Sequence, residues 1–256
     1  MNTLAKIAWR EKFIATAIHF LVTLMFAACA AALIFLVWFP DPLQTMIGGT
    51  ELFELVVGCD LALGPLISLV VYNSRKSRRK LVFDYFVVGI LQIAALIYGI
   101  WVIAGSRPVY VAFSVDRLEI VTAREFTDAE LAAARNPGYA KLPYDGPRLV
   151  GVEVPPADHT DALFEAVKGN DIYLRPKFFV PYEASLPQIR KRARLLEDLT
   201  AKKPEVKPLL DAALRKIKLP ADRIRWVPAH HSQGFWTALI DIESGKPIGY
   251  VDFDPY

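Results

Sequence analysis

Cysteine is scarce in this 256-residue chain: Cys29 and Cys59 are the only two, and both fall inside apolar runs. No disulfide can therefore form after residue 105, so a domain there must be held by its core alone, even in an oxidising compartment. Histidine is almost as rare. His230 and His231 are adjacent, point different ways on a strand, and have no metal-ligand spacing. The chain has no G-x-S-x-G, no H-E-x-x-H, no glycine-rich phosphate loop and no cysteine nucleophile. Asp116, Glu119 and Asp241 are scattered along expected strands, with no pair that spacing alone brings together. No catalytic site, metal or cofactor is expected, and the chain reads as a non-enzyme.

What the sequence has in excess is apolar residues, 54% of the total, nearly all of the surplus lying before residue 105. Three long runs, 13–39, 52–72 and 81–104, are each long enough to span a hydrocarbon core of about 30 Å. The first continues well past the small-residue cluster "AACAAA" (27–32), which marks it as an uncleaved anchor rather than a signal peptide. Basic residues are absent from the connection 40–51 but crowd the other loop, "SRKSRRK" (74–80), and precede the first run at Lys6, Arg10 and Lys12. That asymmetry places the N-terminus and 74–80 in the cytoplasm and everything after residue 105 outside it. The basic loop is explained by this topology, and no nucleic-acid partner is expected.

Polar residues inside the spans are few and costly. Asp60, Gly64 and Ser68 follow at i, i+4 and i+8 and form one small, polar stripe, while Thr23 and Gln92 lie at about the depth of Asp60. Small stripes let helix backbones approach closely, and polar side chains can bond across them. Pro65 frees the carbonyl of Leu61 and is expected to bend its helix. Three readings of Asp60 stay open: packing within the bundle, recognition of a partner helix, or a proton relay.

The second half alternates strand and helix signals, an α+β domain of about 150 residues. "PVYVAFSV" (108–115) and "RLEIVTA" (117–123) read as a strand pair, and "TDAE" (127–130) as a capping box. "PRLVGVEV" (147–154) is another strand. "ADHTDALFEAVKG" (157–169) offers an Asp158 cap and an apolar face through Leu163, Phe164 and Val167. "LPQIRKRARLLEDL" (186–199) and 204–218 read as two amphipathic helices, with Ile189, Leu195, Leu196 and Leu199 facing a core. The closing segments form strands, the last two joined by a Ser-Gly-Lys turn at 244–246. The fold expected is thus a membrane protein: a three-transmembrane-helix N-terminal anchor (1–105) plus an α+β extracytoplasmic domain (106–256), periplasmic in a bacterial inner membrane.

"EKFIATAIHFLVTL" (11–24), "DLALGPLISLVVYN" (60–73) and "LQIAALIYGIWVIAGSRPVYVAFSVDR" (91–117) resemble the type IV pilin accessory proteins of the TfpX/TfpZ family. Asp60, Gly64, Pro65, Gln92, Tyr98, Gly99, Arg107, Pro108, Tyr110, Phe113, Asp116 and Arg117 match its pattern. The resemblance implies an inner-membrane accessory factor that binds type IV pilin and assists its stability or assembly. Asp60, Gly64, Pro65, Ser68 and Gln92 would then be partner-binding or helix-packing positions, and Arg107, Pro108, Tyr110, Phe113, Asp116 and Arg117 domain-orienting or family-pattern ones, with Arg107-Pro108 a rigid exit from the third span. The alternative is a membrane-anchored periplasmic scaffold or sensor for another envelope component. The oligomeric state and the pilin served stay open.

Overall fold

The computed structural model describes residues 3–72 and 76–256, with the side chains of residues 3–8, Leu52 and Asp60 outside the described set. In chain order the helices are α1 (Thr3–Leu33), α2 (Leu43–Met46), α3 (Gly49–Val71), α4 (Arg78–Ser106), α5 (Asp128–Ala132), α6 (His159–Val167), α7 (Leu186–Arg192), α8 (Leu196–Lys202) and α9 (Lys207–Leu214). The strands are β1 (Pro108–Ser114), β2 (Arg117–Thr122), β3 (Arg148–Val152), β4 (Phe179–Pro181), β5 (Ile224–His231), β6 (Gly234–Asp241) and β7 (Pro247–Val251). They form two compact units: Met1–Val37 with Gly48–Gly105, and Trp38–Ile47 with Ser106–Tyr256.

The first unit holds three helices long and apolar enough to cross a membrane: Trp9–Trp38, Gly49–Val71 and Arg78–Ser106. At 1.5 Å per residue they reach about 45, 35 and 44 Å. Each begins a few residues before the expected run, because the polar flanking residues are helical too. Arg78–Lys80, expected in the loop, form the first turn of α4, while residues 73–75 of that loop lie outside the described residues. Leu63, Val70, Phe83, Leu91 and Trp101 are each more than half exposed. So much outward apolar surface is what lipid covers. α3 continues through Pro65 without interruption.

The second unit is a seven-stranded mixed sheet in the order β4-β3-β1-β2-β5-β6-β7. β1 pairs antiparallel with β2 and parallel with β3; β2 pairs parallel with β5 through Leu118↔Ala229 and Glu119↔His230. Every residue of β1 is buried, as befits a central strand covered on both faces. One face carries Phe113, Leu118, Ile120 and Val227 and is closed by Ile189, Tyr182, Leu43 and Met46. The last two come from α2, a single turn that sets Leu43 and Met46 on one side at i, i+3. Residues 38–47, expected as a plain connection between spans, therefore belong to the domain, and Phe39 is fully buried.

The opposite face is divided. One cluster gathers around Tyr110, whose ring meets Phe126 and Phe179 edge-on at 5.6 and 5.0 Å. The other gathers around Trp226, covered by Leu199 of α8 and Leu210 of α9.

Two local expectations need correction, and a third segment is placed unlike the usual core helix. The helix expected over 186–199 is two helices, because residues 193–195 break out and Arg194 pairs with Trp226 as an isolated bridge. Leu195 accordingly is half exposed and gives its carbonyl to the Trp226 indole at 2.8 Å. Asp158 makes no side-chain cap on α6; it binds Arg135 at 2.5 Å and Lys177 at 3.5 Å instead. Finally, Leu163, Phe164 and Val167 of α6 are 67, 65 and 82% exposed, and the residue it buries is Ala162. The capping box at Thr127–Glu130 and the turn at Gly245 (φ +68°) form as expected.

Candidate functional site

Two places in the molecule combine polar groups with a cavity, one in each unit. In the first, a Cβ built on Gly64 would lie 2.5 Å from Gln92 Nε2, 3.4 Å from His19 Nε2 and 3.6 Å from Thr23 Oγ1. The missing side chain is therefore what brings the three helices together at this level. Gln92 Oε1 lies 2.7 Å from His19 Nε2, and Thr23 donates back to the His19 carbonyl at 3.1 Å. The Asp60 carboxylate, for which packing against Gln92 or Thr23 is one reading, lies outside the described residues. One turn beyond Pro65, fully buried Ser68 shares a 2.8 Å hydrogen bond with Tyr85. Gly99 does for Val56 what Gly64 does for Gln92, its would-be Cβ standing 2.5 Å from Val56 Cγ1. Tyr98 faces outward beside Trp101. Next to the His19–Gln92 pair is an apolar cleft of about 200 Å³, walled by Val22, Phe26, Val57 and Leu96.

In the second unit the 107–117 stretch occupies core and turn positions. Arg107 is buried, 4.5 Å from the Tyr144 ring and 5.6 Å from that of Trp38. Pro108 opens β1, and Tyr110 and Phe113 pack on opposite faces of it. Val115 turns the hairpin in the left-handed region (φ +58°), its carbonyl held by Gln188 at 2.9 Å. Arg117 Nε donates to Asp116 at 3.0 Å, and the guanidinium lies over the Phe235 and Tyr256 rings at 5.7 and 5.9 Å.

Between the two apolar clusters of the divided face, the parallel register of β2 and β5 sets Glu119 beside His230. His230 Nδ1 lies 2.7 Å from Glu119 Oε2, and the imidazole rests on Phe235 at 4.5 Å. Glu119 is 6% exposed; burial raises its pKa, opposed by the hydrogen bond from His230. Arg117 approaches the other carboxylate oxygen only to 3.9 Å. The pair floors a cavity of about 680 Å³, walled by α6 and by the 171–173 turn. Tyr173 there has its pKa raised by burial and then by the nearby Glu119 and Asp171 carboxylates.

Such a pair can hold a proton or accept a donor. Ser114 also lines the cavity, but the register sets it opposite Arg117, two strands from His230. No group of three or more His, Cys, Asp or Glu side chains able to hold a metal occurs among the described residues. Sequence reasoning missed the Glu119–His230 pair. The available signal was that Glu119 shares its strand face with Val121, inside a sheet covered on both sides, while its partner lies 111 residues away.

Apolar helices of spanning length joined to a mixed-sheet domain define a membrane-associated, domain-bearing protein. Its relatives give the family. The chain is 32% identical over 231 residues to the fimbrial assembly protein of serogroup I of Dichelobacter nodosus, covering 88% of each chain. It is 30% identical over 228 residues to the serogroup E1 protein, again 88% of each. A shorter relative, from serogroups C1 and C2, is 38% identical over 117 residues, 46% of this chain and 89% of its own. The family profile of the fimbrial assembly protein FimB matches residues 7–48. The chain belongs to the fimbrial assembly protein family and is pilus assembly-related. FimB is the family description it matches, in place of the expected TfpX/TfpZ name. No solved structure matches it.

Proposed function

We propose that this protein is a non-enzymatic accessory factor of the bacterial inner membrane that binds pilin and assists its assembly into type IV pili. The observation that carries the reading is the Gly64–Gln92–His19 contact beside an apolar cleft inside a set of spanning-length helices. An amide–imidazole hydrogen bond is a polar contact that the interior of a helix set can hold, and a cleft at its side accepts an apolar helix. Pilin is the partner that a pilus-assembly family implies.

The topology proposed has the N-terminus in the cytoplasm and the sheet domain in the periplasm. Two features support it. The connection 40–51 lacks basic residues, while the N-terminal part of α1, with Lys6, Arg10 and Lys12, and the stretch 75–80 leading into α4 are rich in them. Residues 38–47 also share one core with 106–256, so the chain between them crosses an even number of times, as α3 and α4 together would.

The test is a photo-cross-linking residue at Leu96, in the cleft wall, or at Val70, 80% exposed on α3, in membranes containing the neighbouring pilin. Pilin adducts at Leu96 well above those at Val70 are expected. No adduct at Leu96, or equal adducts at both, would contradict the reading.

A further inference from the structure

The cavity over Glu119 and His230 is unused by the membrane contact just described, and its chemistry is specific. At about 680 Å³ it lies within the range of ligand sites, roughly 300–1,000 Å³. Its lining carries two carboxylates, Glu119 on the floor and Asp171 in the wall. The one permanent cation there, Arg117, is already bound to Asp116 at 3.0 Å, and His159 is bound to the Val154 carbonyl at 3.0 Å. Glu119 is more than nine-tenths buried; His230 holds its Oε2 at 2.7 Å, while the nearest cation to Oε1, Arg117, stands 3.9 Å away. A carboxylate oxygen at a cavity, its nearest cation beyond hydrogen-bond distance, is a place where a cationic N–H group can make a charge-assisted hydrogen bond. One wall is apolar, formed by Ala162, Leu163 and Ala166 of α6. That wall leads outward to Phe164 and Val167 of the same helix, both largely exposed.

We propose that this cavity binds a lysine or arginine side chain of a partner polypeptide, the cation reaching Glu119 and Asp171 and the neighbouring apolar residues covering the outer face of α6. In the setting of the pilus, that polypeptide is a segment of pilin, and to that extent the inference rests on the reading above. Charge complementarity selects the cation. The adjoining apolar face selects a peptide over a bare ion, since a peptide brings side chains for Leu163, Phe164 and Val167 to meet.

The experiment uses the full chain in nanodiscs of neutral lipid and the fluorescein-labelled peptide Ser-Gly-Ala-Lys-Leu-Ala-Gly-Ser, followed by anisotropy. The same peptide with Glu in place of Lys is the comparison. The lysine peptide should bind at least about tenfold more tightly than the glutamate peptide. Glu119→Gln and Asp171→Asn should each weaken it by about tenfold, and Leu163→Ser by a few-fold. Asp171→Asn carries the test should Glu119→Gln melt early. Equal affinity for both peptides, or indifference to both carboxylate variants, would overturn the proposal. Displacement by free arginine at no higher concentration than the peptide would overturn the polypeptide part and assign the cavity to a small cation. Pilin adducts at Leu96 and peptide binding, both measured with the wild-type Glu119 and Asp171, separate the two readings. Adducts without peptide binding leave the assembly role standing and remove this site; peptide binding without adducts does the reverse.

Discussion

The two faces of the sheet are built to different ends. One is sealed by apolar side chains, including Leu43 and Met46 from the segment between the first two long helices. The other is split into two clusters, with a carboxylate–imidazole pair and an open cavity between them. A continuous apolar face maximises burial; interrupting one with Glu119 sacrifices stability, and a sequence keeps such an interruption where the group has work to do. The contrast assigns structure to the first face and binding to the second.

The largest expected effect is on the sealed face. Met46→Asp places a carboxylate where 1% of the side chain reaches solvent, and should cost at least about 3 kcal/mol in denaturation of the full chain. A loss below about 1 kcal/mol would show that the 38–47 segment is dispensable to the core. Tyr182→Phe comes next. It removes the hydroxyl that donates to the Gly245 carbonyl at 2.7 Å and leaves that buried acceptor unmet, for about 1–2 kcal/mol by the same measurement.

Acid distinguishes the faces by sign. His231 lies on the sealed face, where burial lowers its pKa below the usual 6.5, helped by His230 and opposed by Asp252. Its contribution to stability is complete above 6.5 and is lost as pH falls through the lowered value. Glu119 is the reverse: its pKa is raised, so its contribution is complete below the ordinary 4.5 and is lost as pH rises through the raised value. Melting between pH 4 and 8 should therefore flatten on the acid side in His231→Asn. In Glu119→Gln the decline toward acid should steepen. Parallel curves for wild type and both variants would break the comparison.

The smallest effect is expected at Leu163→Ser. Its side chain is 67% exposed, so stability should change by no more than about 0.5 kcal/mol while peptide binding falls.

Much of this was legible in the sequence, and the exceptions share a cause. The long helices follow from apolar runs, β1 and β2 from alternation, and the closeness of α3 to its neighbours from Gly64 and Ser68. These signals are local. The role of 38–47 was hidden because four buried residues in a short connection look like any interspan loop until the sheet is there to receive them. The exposure of the apolar side of α6 was not legible, because periodicity shows that a face exists but not whether anything covers it. Residues 186–199 read as one helix because nothing local reveals that Arg194 bridges to Trp226. The Glu119–His230 pair needed the β2–β5 register, which joins residues 111 apart.

The most direct test is pilus assembly in cells whose own copy of this gene is replaced by one encoding Glu119→Gln with Leu163→Ser, with membrane levels of the protein measured alongside. The account predicts normal protein levels and at least about tenfold fewer surface pili. Normal piliation at normal protein levels would contradict it.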